Sequence, residues 1–509
     1  MSRFRICIFA ALLAPGIFPS NVSSRDVPLT QRQWFETRTA HFNLYSCGPP
    51  QAVNQIAGQL EEFCEAYSQL AGAQAVASPP IVVMAFPDRE TMKPFLPRYR
   101  GQPENLAGLF QRGNDENLIV LSLPAAGAAS PDMSVVFHEY THLLFRRNDR
   151  LWPLWLKEGM AEVYSTFATT DRTALIARPI DLHLRLLARK PLMPLSELFA
   201  VTRASPQYND RERQAIFYAE SWLLTHFLMA GDNADYRSRF GNFTTLLREG
   251  QPPVPAFTNA LQTSLPAVES ELHRYLARDR FAPVKFNFPE SVVGGKTFTT
   301  RQLTPVENYF RLGDELLRLG RLADAEEFFA NGRKLAPASP LPYEGLGLLA
   351  VRRGQSDEAL HQLKESLRRG SGSYLAHYLY AWTQFRLAAD DRDGHGSLTG
   401  EAAAEIQDEL LRSIMLMPSF GPAHELFGIL ETARGGNLPL AVQHLQLAVQ
   451  FEPENPYYLL ALADAQARNN DPEAARRTLT ALLLPTVEVK LRAQAEALLR
   501  QITGANPAR

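Results

Sequence analysis

The chain has 509 residues, 45% of them hydrophobic and 21% charged, and a net charge of −2. That length exceeds what one core organises, so two or three domains are expected, and the composition excludes a mainly disordered chain. The near-neutral balance, with no long basic run, excludes attraction to nucleic acid or anionic membrane through overall charge, so specificity has to come from a site.

Two arginines within Met1–Arg5 precede an apolar stretch, Ile6–Phe18, interrupted only by Pro15 and Gly16, and small and polar residues follow over Pro19–Ser24. This is the order of an export signal, expected over residues 1–24, and the run is too short to span a bilayer comfortably. The chain is therefore expected to be periplasmic or extracellular. The alternative is an uncleaved N-terminal anchor, and only then is a membrane a partner. After cleavage two cysteines remain, Cys47 and Cys64. They could form one disulfide, which separation alone does not show, and two scattered cysteines argue against a cysteine-based zinc site.

Next come a strand over Arg38–Tyr45, an amphipathic helix over Gln51–Ala71, and strands at Ile81–Phe86, Leu106–Arg112 and Asn117–Leu123. Strands give way to helices from about Asp132. An α+β domain is expected over residues 31–281, its small sheet preceding its helices. The stretch Leu106–Leu123 could supply an edge strand that holds an extended substrate by main-chain hydrogen bonds.

The segment Val135–Leu144 contains His138-Glu139-Tyr140-Thr141-His142 inside an apolar helical pattern. Positions i and i+4 lie one turn apart on one face, so both imidazoles can bind one ion, and Glu139 can take a proton from water on that ion. A short connection leads to Trp155-Leu156-Lys157-Glu158-Gly159-Met160-Ala161-Glu162. A second helix returning beside the first would bring Glu158 in as a carboxylate third ligand. Three protein ligands leave a fourth position open, which marks a catalytic zinc site, and Glu162, one turn beyond, can accept a hydrogen bond from a ligand imidazole. From about Leu182 to Asp279 the pattern is helical, with breaks near Pro206 and between Pro252 and Pro255. A Pro/Gly/Thr-rich connector is expected over residues 282–304.

Beyond it, Tyr309, Leu312, Gly313, Leu316, Ala325, Phe329, Gly332 and Pro337 occupy the spacing of a tetratricopeptide repeat, a helical pair of about 34 residues. One period on come Tyr343, Leu346, Gly347 and Ala359, and weaker copies follow at Ala381–Pro418, Gly428–Pro453 and Ala463–Leu479. An all-α repeat solenoid is expected over residues 305–503. An insertion, Asp391–Thr399, has the glycine of a calcium loop, but His395 and Ala402 stand where oxygen ligands are required, so a surface loop is expected.

The pairing of His138–His142 with Trp155–Glu162 resembles the gluzincin metallopeptidases, the peptidase MA-like group that includes thermolysin and aminopeptidase N. The resemblance reaches at most residues 33–279 and is specific over His138–Tyr164. It implies a zincin-like fold, one zinc per chain on His138, His142 and Glu158, Glu139 as general base and acid, and Glu162 as support for a ligand. Relatives place a tyrosine or histidine downstream as an oxyanion donor, which points to Tyr218 and His226. Two features depart from the pattern. The gap from His142 to Glu158 is shorter than in those relatives, and no G-x-M-E-N stretch precedes the motif to hold a free amino terminus. The expected activity is that of an exported zinc endopeptidase, or a peptidase of narrow specificity, whose repeats recruit protein substrates or partners. The alternative is a repeat scaffold or adaptor with a catalytically silent peptidase-like domain. A zinc hydrolase acting on a non-peptide bond shares the same metal chemistry.

Overall fold

The computed structural model describes residues 28–71, 81–99, 102–103, 106, 108–113, 115–123, 133–145, 151–170, 172–278, 280–288, 298–390, 400–453, 455–484 and 487–504. The expected signal at 1–24 and the loop at 391–399 lie outside the described residues. The chain divides into two compact units, the first built within residues 35–113 and 117–301 and the second mainly from residue 302 onward.

The first unit is organised around a sheet whose strands are β1 (Phe35–Arg38), β2 (Phe42–Ser46), β3 (Ile81–Phe86), β4 (Gly108–Gln111) and β5 (Asn117–Ser122). Thr299–Gln302 lies beside β1, and the order continues β1-β2-β3-β5-β4. The central strands β2, β3 and β5 are parallel, with Phe42 opposite Ile81 and Ile81 opposite Asn117. The β3 sequence Ile-Val-Val-Met-Ala-Phe is buried at every position, as a parallel strand covered on both faces requires. At the edge, β4 runs antiparallel to β5, with Gly108 opposite Leu121. The single strand expected over Arg38–Tyr45 is instead a hairpin. Thr39 turns the chain by donating its hydroxyl to the carbonyl of Phe42 and accepting the Phe42 N–H, which leaves β1 and β2 antiparallel.

Helix α1 (Pro50–Ala71) buries Val53, Ile56, Leu60, Phe63 and Tyr67, a stripe at three- and four-residue spacing. This face receives α2 (Ser134–Phe145), the helix of the H-E-x-x-H motif. Phe63 stacks on Phe137 at 4.6 Å, Tyr67 donates to the carbonyl of Leu144, and Tyr140 meets the Sγ of Cys64 at 3.1 Å. Cys64 is buried, its thiol pKa pushed well up by that burial, and neither it nor Cys47 is in a disulfide.

Helix α3 (Leu154–Ser165) packs on α2 and on the long α6 (Arg211–Ala230); the shorter α4 (Asp181–Leu187) and α5 (Pro206–Asn209) lie between them in sequence and both pack on α6. Gly159 sets the approach of α3 to α6, because a β-carbon there would stand 2.4 Å from the carbonyl oxygen of Ser221. Further helices, Ala234–Arg248, Pro253–Leu261 and Leu265–Ala277, complete this side. Two stretches of the expected connector are strands. Val284–Asn287 pairs with Thr173–Ile176, and Thr299–Gln302 joins the main sheet.

The second unit is a succession of helical pairs: Pro305–Arg318 with Leu322–Leu335, Leu341–Arg353 with Ser356–Arg368, Tyr374–Asp390 with Gly400–Leu416, Gly421–Ala433 with Leu438–Phe451, and Pro456–Arg468 with Pro472–Thr480. Thr304 and Glu307 cap the first helix reciprocally, and Pro305 starts it. Small residues expected at the crossings lie there. Gly313 faces the Phe329 ring and Gly347 faces Leu363, each with no room for a methyl group. The helix Val489–Thr503 follows the last pair and packs on it. Among the described residues, no helix is long and apolar enough to cross a membrane.

Candidate metal centre

Helix α2 carries two faces. Tyr140 and Leu144 point into the core against α1, while His138 and His142, one turn apart, point towards α3. Helix α3 presents Glu158 and Glu162, also one turn apart, towards α2. The Nε2 atoms of His138 and His142 lie 3.2 Å from each other, and Oε2 of Glu158 lies 3.5 Å from the first and 3.2 Å from the second. Glu158 and His138 are buried, and His142 is half-buried, so the cluster has one more open side.

These spacings suit a shared ion better than mutual hydrogen bonds. Tetrahedral bonds of about 2.0–2.1 Å separate ligand atoms by about 3.3 Å, which is the size of this triangle. Oε2 of Glu158 is buried yet has no hydrogen-bond partner, although two imidazole nitrogens are near it. Two imidazole nitrogens and one carboxylate oxygen form a donor set suited to zinc. Among the described residues this is the only group of three or more His, Cys, Asp or Glu side chains that could hold a metal ion.

The charges around the cluster are tightly coupled. Burial disfavours the charged form of His138, but Glu158, Glu162 and Glu139 outweigh it and carry its pKa up to about 9. Burial would raise the pKa of Glu158, and His142 and His138 overcome it to hold the carboxylate far below its usual range. Glu162 is likewise lowered against burial, by His183 and then His138. Since both ligand types must be deprotonated to bind a metal, His138 would release its proton on binding.

Around the triangle, Glu162 places Oε1 3.5 Å from Nδ1 of His138 and Oε2 3.1 Å from Nε2 of His183. Tyr208, on α5, donates its hydroxyl to Oε1 of Glu158 at 3.4 Å. Of the two downstream residues, Tyr218 reaches the centre, its ring edge-on to that of His138 with centroids 6.0 Å apart. His226 belongs to a different environment. Its Nδ1 pairs with the hydroxyl of Tyr275 at 2.8 Å, its ring packs on Trp222 and Phe281, and burial lowers its pKa to about 4. Eight residues along α6 from Tyr218 amount to about 12 Å, so the helix that delivers one to the centre carries the other past it. Glu139 follows His138 on α2 and is half-buried, close enough for its charge to act on His138.

Sequence reasoning missed Tyr208 and His183. Tyr208 sits in a polar, proline-containing stretch that reads as a turn, and His183 is a lone histidine on a seven-residue helix. Neither has a spacing relation to the motifs.

No family model matches the chain, and no curated protein matches it. Solved structures similar in part are tetratricopeptide-repeat proteins. YrrB, described as having an unusual peptide-binding site, is 18% identical over 37% of this chain and 91% of its own, with a TM-score of 0.31. A thermophilic repeat protein of Thermus thermophilus is 22% identical over 38% and 98%, with a TM-score of 0.29. The C-terminal part of a repeat protein from Cytophaga hutchinsonii is 16% identical over 39% and 74%, also at 0.29.

Proposed function

We propose that the first unit is a zinc-dependent peptidase of the gluzincin kind, in an exported protein whose repeats bring protein substrates or partners to it. The observation that carries this reading is the convergence of His138, His142 and Glu158 on one point, with Glu139 beside them. Held by His138, His142 and Glu158, zinc would supply the Lewis acidity that activates water for attack. Glu139 would take a proton from the attacking water on its carboxylate and pass it to the leaving nitrogen. Glu162, beside Nδ1 of His138, would orient that ring with Nε2 towards His142 and Glu158. Two phenols are near enough to serve the developing oxyanion. Tyr208 is the half-buried one, next to the second oxygen of Glu158, and is the better placed to meet a substrate. The edge strand β4 offers main-chain groups to an extended peptide.

A repeat scaffold that processes nothing is the second reading, favoured by the helical pairs that fill most of the chain after residue 304. One experiment separates the two. The zinc-loaded protein is incubated with a broad peptide library alongside Glu139→Gln. The peptidase reading predicts cleavage by the wild type, and zinc retained but turnover lost in Glu139→Gln. Zinc bound by both proteins with no cleavage by either contradicts it and leaves the scaffold.

A further inference from the structure

We infer that His183 is a positioning residue for the metal centre, acting through Glu162 on His138. The inference rests on the metal-binding reading of His138, His142 and Glu158 and goes beyond it, because His183 touches none of the three. The geometry is a relay across three helices. Glu162 of α3 is buried, and its two oxygens face different rings: Oε1 stands at an ion-pair distance of 3.5 Å from Nδ1 of His138 on α2, and Oε2 is hydrogen-bonded to Nε2 of His183 on α4, at 3.1 Å. A carboxylate only accepts, so Nε2 of His183 is the donor and its tautomer follows. His183 is itself buried, with its ring 6.1 Å from that of Trp222 on α6.

Consequences for the ligand follow from this arrangement. His138 can offer the lone pair of Nε2 only while its proton sits on Nδ1, and that proton needs a fixed acceptor. Glu162 can be that acceptor in one orientation only if its other oxygen is held. Without His183, Oε2 would be a buried carboxylate oxygen lacking this partner, and the group would turn to share Oε1 or find another donor. Either movement weakens the hold on the His138 ring. The second pair of the relay therefore sets the geometry of the first.

The test uses the full-length, zinc-loaded protein and measures zinc release to a competing chelator. His183→Leu removes the donor, and His183→Gln keeps one. The expected result is release at least about tenfold faster in His183→Leu, in the range typical for groups that orient metal ligands, with His183→Gln much closer to the wild type. Adding Glu162→Gln to His183→Leu should accelerate release little beyond Glu162→Gln alone, since both act through one carboxylate. A role confined to core packing would instead make the two effects multiply. Should His183→Leu fail to fold, His183→Asn, too short to reach Glu162, gives the same comparison. Zinc uptake by the wild type with unchanged release in His183→Leu, or multiplying effects, overturns this inference alone. No zinc uptake by the wild type overturns the metal reading and this inference with it.

Discussion

Replacing Gly159 with alanine should loosen the proposed metal centre without altering any of its candidate donor atoms. The added methyl would stand 2.4 Å from the carbonyl oxygen of Ser221 and 2.1 Å from Oγ1 of Thr225. The threonine side chain can rotate away, but the Ser221 carbonyl belongs to the backbone of α6 and cannot. Ordinary non-bonded contact is about 3.5 Å, so α3 and α6 would have to part by about 1 Å. Overpacking costs about 1–3 kcal/mol, towards about 2–3 kcal/mol where a backbone contact has to open, while the better helix propensity of alanine returns about 1 kcal/mol. A net loss of about 1–2 kcal/mol corresponds to a fall of about 2–8 °C in the thermal midpoint of a unit this size. Glu158 is the adjacent residue, and metal–ligand distances tolerate only about 0.2 Å, so zinc release should also accelerate. Thermal unfolding of the metal-free variant and chelator competition on the loaded one measure the two effects. The pair Gly159→Ala, Thr225→Ala should not recover, because the backbone contact persists. A midpoint at or above that of the wild type, the result of propensity alone, would refute the close approach of these helices.

Further outcomes are expected. Tyr208→Phe should leave zinc content unchanged and lower peptide turnover by about a hundredfold, the usual effect of losing one oxyanion donor; an unchanged rate, with loss in Tyr218→Phe instead, would reassign the role. Burial pushes Glu220 up to about 8 from a usual 4.5, with the Met193 N–H only partly opposing it. The folded state thus holds a proton that the unfolded chain releases. Its contribution is full below about pH 4.5 and is lost as pH rises towards 8, at up to about 1.4 kcal/mol per unit. Glu220→Gln should flatten that slope in urea titrations at pH 5 and pH 8, and parallel slopes for the two proteins would contradict it. Saturating zinc at about a hundred times its dissociation constant should stabilise the first unit by about 2.7 kcal/mol, and a midpoint indifferent to chelator would count against a site in the folded state.

The convergence of His138, His142 and Glu158 was legible because it is written in helical periodicity. His138 and His142, then Glu158 and Glu162, are pairs one turn apart, and such spacing fixes a shared face whatever the tertiary fold. The repeats were legible for the same reason, since Gly313 and Gly347 recur at one period. Tyr208 and His183 were not, because only the packing of α4 and α5 against α6 brings them to α3. His226 misled as a resemblance that ignored axial distance along α6. The stretch Thr299–Gln302 is polar and exposed throughout, which in sequence cannot be told from a linker; it is a strand only because β1 offers it an edge.

His138, His142 and Glu158 lie close enough together to share one ion. Metal analysis of the purified full-length protein, beside His142→Ala, tests that sharing most directly. About one zinc per wild-type chain and almost none in the variant are expected. Equal zinc in both proteins, or none in the wild type after loading with excess zinc, would contradict it.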